Sequence, residues 1–315
     1  MKNEMKLCRL AIIAASLLPL PALSARAQDD YGRKQIDTTV RLDRGGAVDL
    51  SLISGKIRVT GWDRPDVKVS ASITSGLLRF DANSSRVSLS VESDDDSRGR
   101  RHHDVGNARY DVSVPRGTRL VLEAVSGDVS STGSQGEVEA TSVSGRVEVV
   151  DAVRVVSAES VSGAVHAAQV NGNLRAETVS GDLRVETVTG NVEATSVSGT
   201  LRLVGIQSKD VRTETVSGDI VYSGSIEAGG KYSFESHSGT IRLNIPRGAG
   251  AQFSVETFSG DVSTDFPVTT RGSMRGRGEG RMEFTTGDGR ARVTANTFSG
   301  RIVINSGSDS STRER

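Results

Sequence analysis

Between residues 121 and 222 apolar and polar residues alternate with period two, and the alternation is punctuated by a recurring Val-Ser-Gly-x tetrapeptide. Its glycines fall at Gly127, Gly145, Gly163, Gly181, Gly199 and Gly218, in steps of 18, 18, 18, 18 and 19. Looser copies place glycines at Gly239, Gly260 and Gly300, and an early one at Gly55. Weaker copies at Gly136, Gly172 and Gly190 lie half a period out of phase. Counted from the glycine, position +2 is apolar almost throughout, as in Val129, Val147, Val165, Leu183, Leu201, Ile220 and Ile241. Position +4 is often apolar, as in Val149, Val185 and Leu203. Position −2 is apolar as well: Val125, Val143, Val161, Val179, Val188, Val197, Val216, Phe258 and Phe298. Period two is the mark of a strand with one buried face. If one strand ran through the glycine unbroken, positions −2, +2 and +4 would share a face. They are therefore expected inside, with the glycine pointing inward beside them.

The alternation slips once per nine residues, near Glu186-Thr187, where a corner or short turn is expected. A seven-residue strand at ~3.3 Å per residue is about 23 Å long. Two such strands per 18 residues make one coil, and stacked coils bury what a single coil cannot. The predicted fold is all-β, a β-solenoid of 18-residue coils. An antiparallel β-sandwich is the alternative, but its hairpins would call for Asn-Gly or Asp-Gly turns, and only Asn171-Gly172 and Asp288-Gly289 supply them.

The whole chain divides into four parts. Lys2, Lys6 and Arg9, an apolar run from Leu10 to Leu23, and Ala25-Arg26-Ala27 have the layout of a secretory signal, with cleavage before Gln28. The uninterrupted apolar stretch is too short for a membrane span, which takes about 20 apolar residues, so no transmembrane anchor is expected in the mature chain. Residues 28–120 read as an N-terminal β cap, with strands at Val48–Val59, Val67–Ile73 and Val87–Val91 and a charged loop at Glu92–Asn107. Residues 121–304 form the solenoid, and 305–315 a polar, disordered tail. Val114-Pro115-Arg116-Gly117 and Ile245-Pro246-Arg247-Gly248 each lead into a Ser-Gly-Asp unit, an echo that marks the ends as variants of the array.

The same units carry a resemblance. Ile53-Ser54-Gly55-Lys56-Ile57-Arg58-Val59-Thr60-Gly61-Trp62-Asp63, the Pro-Arg-Gly-Thr lead-in at Pro115 and the serial Val-Ser-Gly-Asp copies resemble the bacterial putative adhesins, a family of unknown function. The resemblance covers nearly the whole mature chain. It implies a β-helical or solenoid-like domain at the cell envelope and no catalytic residues.

Composition narrows the chemistry. The only cysteine, Cys8, lies in the leader, so the mature chain has no disulfide, thiolate metal site or cysteine nucleophile. Removing the leader leaves 288 of 315 residues, with 35 Lys and Arg against 38 Asp and Glu, a charge of −3. That balance gives no argument for nucleic acid. The residue after the glycine is Asp at 128, 182, 219 and 261 but Arg at 146 and 301, which is not a calcium-binding ladder. Glutamates at position −4, namely Glu123, Glu159, Glu177, Glu214, Glu235 and Glu256, read as a solvated face, relieved by Arg184, Arg202 and Arg242. His102-His103-Asp104 lies in a loop without zinc-site spacing. His237 occupies the −2 slot and is expected in the core or at the end of the stack. Arg271–Arg281 reads as a flexible arginine-glycine loop, and the single Trp62 indicates no carbohydrate platform.

No catalytic, cofactor-binding or metal-binding residues are assigned; the site residues are the structural glycines named above. The sequence reads as a non-catalytic exported protein, periplasmic or secreted, forming an adhesin-like scaffold or binding surface for an unknown envelope or surface partner. A β-helical polysaccharide-processing enzyme and an envelope-stress accessory that binds a regulator are the alternatives.

Overall fold

The computed structural model describes residues 30–92, 105–267 and 280–307. The leader with Cys8, the cluster His102-His103-Asp104, most of the arginine-glycine segment and the end of the tail lie outside the described residues. Among the described residues no helix is long and apolar enough to cross a membrane.

The N-terminal strands are β1 (Asp30–Arg33), β2 (Gln35–Arg41), β3 (Ala47–Trp62), β4 (Asp66–Ile73), β5 (Leu77–Ala82), β6 (Arg86–Glu92), β7 (Ala108–Pro115) and β8 (Arg119–Thr132). The regular coils follow as β9 (Val138–Ser142), β10 (Val147–Val153), β11 (Val156–Ser162), β12 (Val165–Asn171), β13 (Leu174–Ser180), β14 (Leu183–Thr189), β15 (Val192–Ser198) and β16 (Leu201–Gln207). Then come β17 (Asp210–Ser217), β18 (Ile220–Gly224), β19 (Lys231–Ser238), β20 (Ile241–Pro246), β21 (Ala251–Ser259), β22 (Val262–Thr264), β23 (Gly280–Thr286), β24 (Ala291–Ser299) and β25 (Ile302–Gly307).

Each coil gives one strand to each of two faces. On the first face β9, β11, β13, β15, β17 and β19 pair in parallel, one above the next. On the second, β10, β12, β14, β16, β18 and β20 do the same. The register advances by 18 residues per rung as far as β16 and by 19 and then 21 beyond it, so Val147 lies over Val165, Leu183 over Leu201, and like stacks on like. The chain is a parallel β-solenoid. Antiparallel pairing, which a sandwich would need throughout, occurs among the described residues only near the two ends, in β1–β5, β2–β4, β4–β7, β5–β6 and β21–β23.

The core is thin. Val156 and Ala158, Leu174 and Ala176, and Val192 and Ala194 face it from the first sheet; Val165 and Ala167, Leu183 and Val185, and Leu201 and Leu203 face it from the second. Positions +2 and +4 are thus inside, as their alternation predicts. Position −2 is not. Val125, Val143, Val161, Val179, Val197, Val216, Phe258 and Phe298 are exposed, and of the −2 residues only Val188, from a half-period copy, is buried. The buried set upstream of the glycine is instead −3, −5 and −7, as in Ser142, Ala140 and Val138.

The glycine is a corner, and this accounts for the switch of parity. Its added Cβ would point along the stack rather than into the core. At Gly199, where φ is +134°, a Cβ would lie 2.1 Å from the carbonyl oxygen of Gly181. The same clash recurs at Gly145 against Gly127 and at Gly239 against Gly218, each at 2.1 Å. Side-chain hydroxyls brace the column from inside: Ser142, Ser160 and Thr178 donate to the carbonyls of Gly127, Gly145 and Gly163 at 2.9, 3.0 and 3.1 Å. Aspartate at +1 braces it from outside. Asp128, Asp182 and Asp219 accept from the backbone N–H of Arg146, Thr200 and Thr240 on the next rung, at 3.1, 3.0 and 2.8 Å. These carboxylates are satisfied by backbone N–H groups of the neighbouring rung.

The parity slip near Glu186-Thr187 is not a corner. Strand β14 runs through it, with Thr187 at φ +53° as a bulge that turns Val188 back to the core. Asp151 and Gln169, both at +55°, and Gly205 at +67° occupy the same place in neighbouring rungs.

Both ends of the stack are laid out of chain order. At the start, β3 pairs with β7 on one side and β8 on the other, so the earliest rung is sandwiched between two later ones. At the far end, β24 lies between β19 and β21, and β25 between β20 and β22. Pro115-Arg116-Gly117 and Pro246-Arg247-Gly248 sit at the turns where the chain steps over the rung that will occupy, or already occupies, the middle place. The echo in sequence marks these skips.

Two substitutions separate the roles of these positions. Gly199→Ala is expected to cost about 3 kcal/mol, from left-handed strain and overpacking, whereas Val197→Ala two residues earlier should change stability by less than about 0.5 kcal/mol, as at other surface sites. Urea midpoints of the two variants check this. Thr187→Asn is expected to add about 1 kcal/mol, because a β-branched residue tolerates φ near +53° poorly, and the same titration reads it.

Candidate functional site

The residues at −2 stand in a single file along one edge of the first face. Register places them in spatial order as Ile53, Val125, Val143, Val161, Val179, Val197, Val216, His237, Phe298 and Phe258. Ten residues at a strand spacing of ~4.8 Å make a ladder about 43 Å long. The apolar side chains are about half exposed, from 43% at Ile53 and Val197 to 56% at Phe258. Scattered surface valines need no explanation, but a continuous apolar file does.

The last five rungs form a groove of about 930 Å³. Here the valines give way to rings. His237 stacks on Phe298 at 4.9 Å between centroids and 4° between planes, and Phe298 on Phe258 at 4.9 Å and 7°. Of the two places expected for His237, the core or the end of the stack, the core is wrong: it is an exposed member of a ring stack on the last rungs. The sequence places His237, Phe258 and Phe298 in one slot of the repeat but not their exposure or their order in space.

Beside the file runs the column at −4. Glu214 lies over Glu235, then Asn296, then Glu256. Arg212 hydrogen-bonds Glu214, which pushes the guanidinium pKa up. Arg281 bonds Glu283 at 2.8 Å and reaches Glu256 at 2.8 Å, and is pushed up for the same reason. Glu235 accepts the Ser233 hydroxyl at 3.0 Å. Further along, Arg175 pairs with Glu177 on its own strand and with Glu193 on the next rung. The relief expected from Arg184 does not act here: Arg184 lies on the opposite sheet, where its hydrogen bond at 2.8 Å holds the Glu186 carboxyl below the usual range. Arg202 and Arg242 stand in strands β16 and β20 of that same opposite sheet.

Beneath the groove the interior turns aromatic. Tyr222 and Phe234 meet at 5.1 Å, and Tyr222 and Tyr232 edge to face at 6.3 Å. Burial pushes the hydroxyls of Tyr222 and Tyr232 up, and that of Tyr110 at the other end. Between this layer and the groove, the hydroxyls of Ser196, Thr215 and Thr297 are buried without a partner.

Among the described residues no three of His, Cys, Asp and Glu come together to hold a metal ion. The glycines named from the sequence form the corner column beside the file, where they set the rungs' spacing and offer no side chain. The molecule is thus a parallel β-solenoid with an exposed apolar ladder and an acidic flank. The Toastrack DUF4097 family model matches residues 111–305, and the chain belongs to that family. The chain is also similar to two solved structures at 12% identity. One is a putative cell adhesion protein from Clostridium sporogenes, with a TM-score of 0.21 over 86% of this chain and 99% of the other. The second is a putative adhesin from Bacteroides fragilis, with a TM-score of 0.36 over 86% and 97%. No curated protein matches the sequence.

The raised tyrosines set an alkaline limit. An unfolded tyrosine releases its proton near pH 10, whereas the folded groups keep theirs, so stability is full below that pH and falls as pH rises above it. Tyr110 and Tyr222, the two shifted furthest, predict a slope of about 3 kcal/mol per pH unit above pH ~10, to which Tyr232 adds. Tyr222→Phe should reduce that slope by about 1.4 kcal/mol per pH unit, measured as urea midpoints between pH 9 and 12.

Proposed function

We propose that this protein is an exported, non-catalytic binding scaffold of the bacterial cell envelope, which presents its apolar ladder to a partner. The observation that supports this most directly is the file of half-exposed apolar side chains held on successive rungs, capped by three stacked rings. Leaving apolar surface in water costs about 25 cal/mol per Å² relative to covering it, so a partner that covers the file gains that term. A rigid solenoid offers the file already ordered, which lowers the entropic cost of binding. The basic start, apolar run and Ala-x-Ala end of residues 1–27 favour export with cleavage before Gln28. The regular repeat disfavours catalysis, because a glutamate recurring on about two of every three rungs supplies no unique pair at a defined separation.

Expression of the full chain in a bacterial host tests the reading. The expected product begins at Gln28, fractionates outside the cytoplasm, is retained by purified envelope material, and leaves envelope glycans intact. An unprocessed cytoplasmic chain, or glycan cleavage lost on one carboxylate substitution, would overturn it.

A further inference from the structure

The geometry points to the occupant of the groove: we propose that the five rungs from Val197 to Phe258 bind a cationic amphipathic helix of a partner protein, lying along the stack. The inference rests on the scaffold reading and names the chemistry of its partner.

Charge argues first. The groove is lined by the carboxylates of Glu214, Glu235 and Glu256 against the single guanidinium of Arg281. With three acidic groups and one basic, the lining carries a charge of −2 with His237 neutral. All of that charge stands on one flank, in one column, parallel to the apolar file. A ligand must therefore carry an apolar stripe with a basic stripe beside it, both running along its length.

Spacing argues second. The five apolar rungs repeat at ~4.8 Å and span about 19 Å. An α-helix presents one apolar side chain per turn at 5.4 Å, and about 13 residues cover 19 Å. The mismatch is about 0.6 Å per rung and about 2.4 Å over the site, which is half a rung. A strand laid along the same line repeats one face every ~6.6 Å. It slips by about 1.8 Å per rung and is out of step by the third. The file thus accommodates a helix of three to four turns and rejects an extended chain.

Ring placement argues third. His237, Phe298 and Phe258 stack face to face, so the faces between them are covered and their edges line the groove. Edges present the positive rim of the ring quadrupole. They suit aliphatic side chains from a helix stripe, and they do not offer the flat platform on which a sugar ring would lie.

The test uses the mature chain from Gln28 and a fluorescent peptide of about 14 residues, with Leu at helical spacing and Lys on one flank. Two control peptides are used: one of the same composition in strict alternation, the other with Glu in place of Lys. Anisotropy at low and high salt is the readout. Binding of the helical cationic peptide should exceed that of either control by roughly tenfold and weaken as salt screens the flank. Phe298→Ser with Phe258→Ser should weaken it by roughly tenfold. Glu235→Lys should weaken it at low salt only, and Val125→Ser, outside the groove, should leave it unchanged. Equal binding of either control, or indifference to both the ring and the Glu235 variants, would overturn the proposal. So would self-association of the chain that Phe258→Ser abolishes, since a second copy would then be the occupant. If the peptide fails while envelope material still retains the protein, the helix is wrong and the scaffold reading survives.

Discussion

The column of glycines at the corner determines most of what this molecule can be. Each glycine backbone lies so close to the carbonyl of the glycine one rung away that a methyl group would be 2.1 Å from that oxygen at Gly145, Gly199 or Gly239. The approach fixes the turn of the chain, and the turn fixes the length of a coil. Because a coil closes at the same place every time, Val stacks on Val and Glu on Glu without a choice of register. The hydroxyls of Ser142, Ser160 and Thr178 and the carboxylates of Asp128, Asp182 and Asp219 serve the same corner from its two sides. The tetrapeptide Val-Ser-Gly-Asp is a recipe for one corner and not a ligand motif. Its glycine, and its aspartate where one occurs, serve the backbone of the corner, whereas its valine does not.

That exception explains what sequence reading recovers and what it misses. Downstream of the glycine, Leu201 and Leu203 alternate within one strand, and counting by twos from Gly199 finds both inside. Upstream, the same count lands on Val197, which faces water. Counting by twos is valid only along an unbroken strand, and at Gly199 the φ of +134° rotates the chain between the two sheets. A warning is present in the letters. Val192 and Ala194 are also apolar, at odd distances from Gly199, and they cannot share a face with Val197. Two apolar sets of opposite parity in one strand mean that one of them is outside. Composition could not choose between them, because valine suits a strand on either face.

The bulge at Thr187 is legible in the same partial way. The slip of parity near Glu186-Thr187 is visible, but a slip reads alike whether the chain turns a corner or inserts one left-handed residue. Only pairing distinguishes them, and β14 keeps its parallel partners on both sides of the slip. The order of the end rungs is harder still. Nothing local tells that β24 enters between β19 and β21, since each of its residues obeys the same repeat as its neighbours. Pro115 and Pro246 hint at it, as paired breaks in an otherwise even pattern.

The out-of-order ending is what builds the site. In sequence, His237, Phe258 and Phe298 share one slot of the repeat but are separated by about twenty and forty residues, which gives no sign of the order in which they stack. In space, Phe298 lies between the other two, because the last rung is laid into the middle place. A rung added simply in turn would have left Phe258 on His237 and Phe298 outermost. Insertion instead leaves Phe258 outermost, beside Arg281 on the antiparallel strand β23 that closes this face. The groove therefore occurs where the repeat is modified and not where it is purest. A solenoid made only of identical rungs would offer a uniform edge, with no position distinguished from the next. Here three rings, a narrow acidic column and a closing strand mark off five rungs, and a specific partner needs a place of that kind.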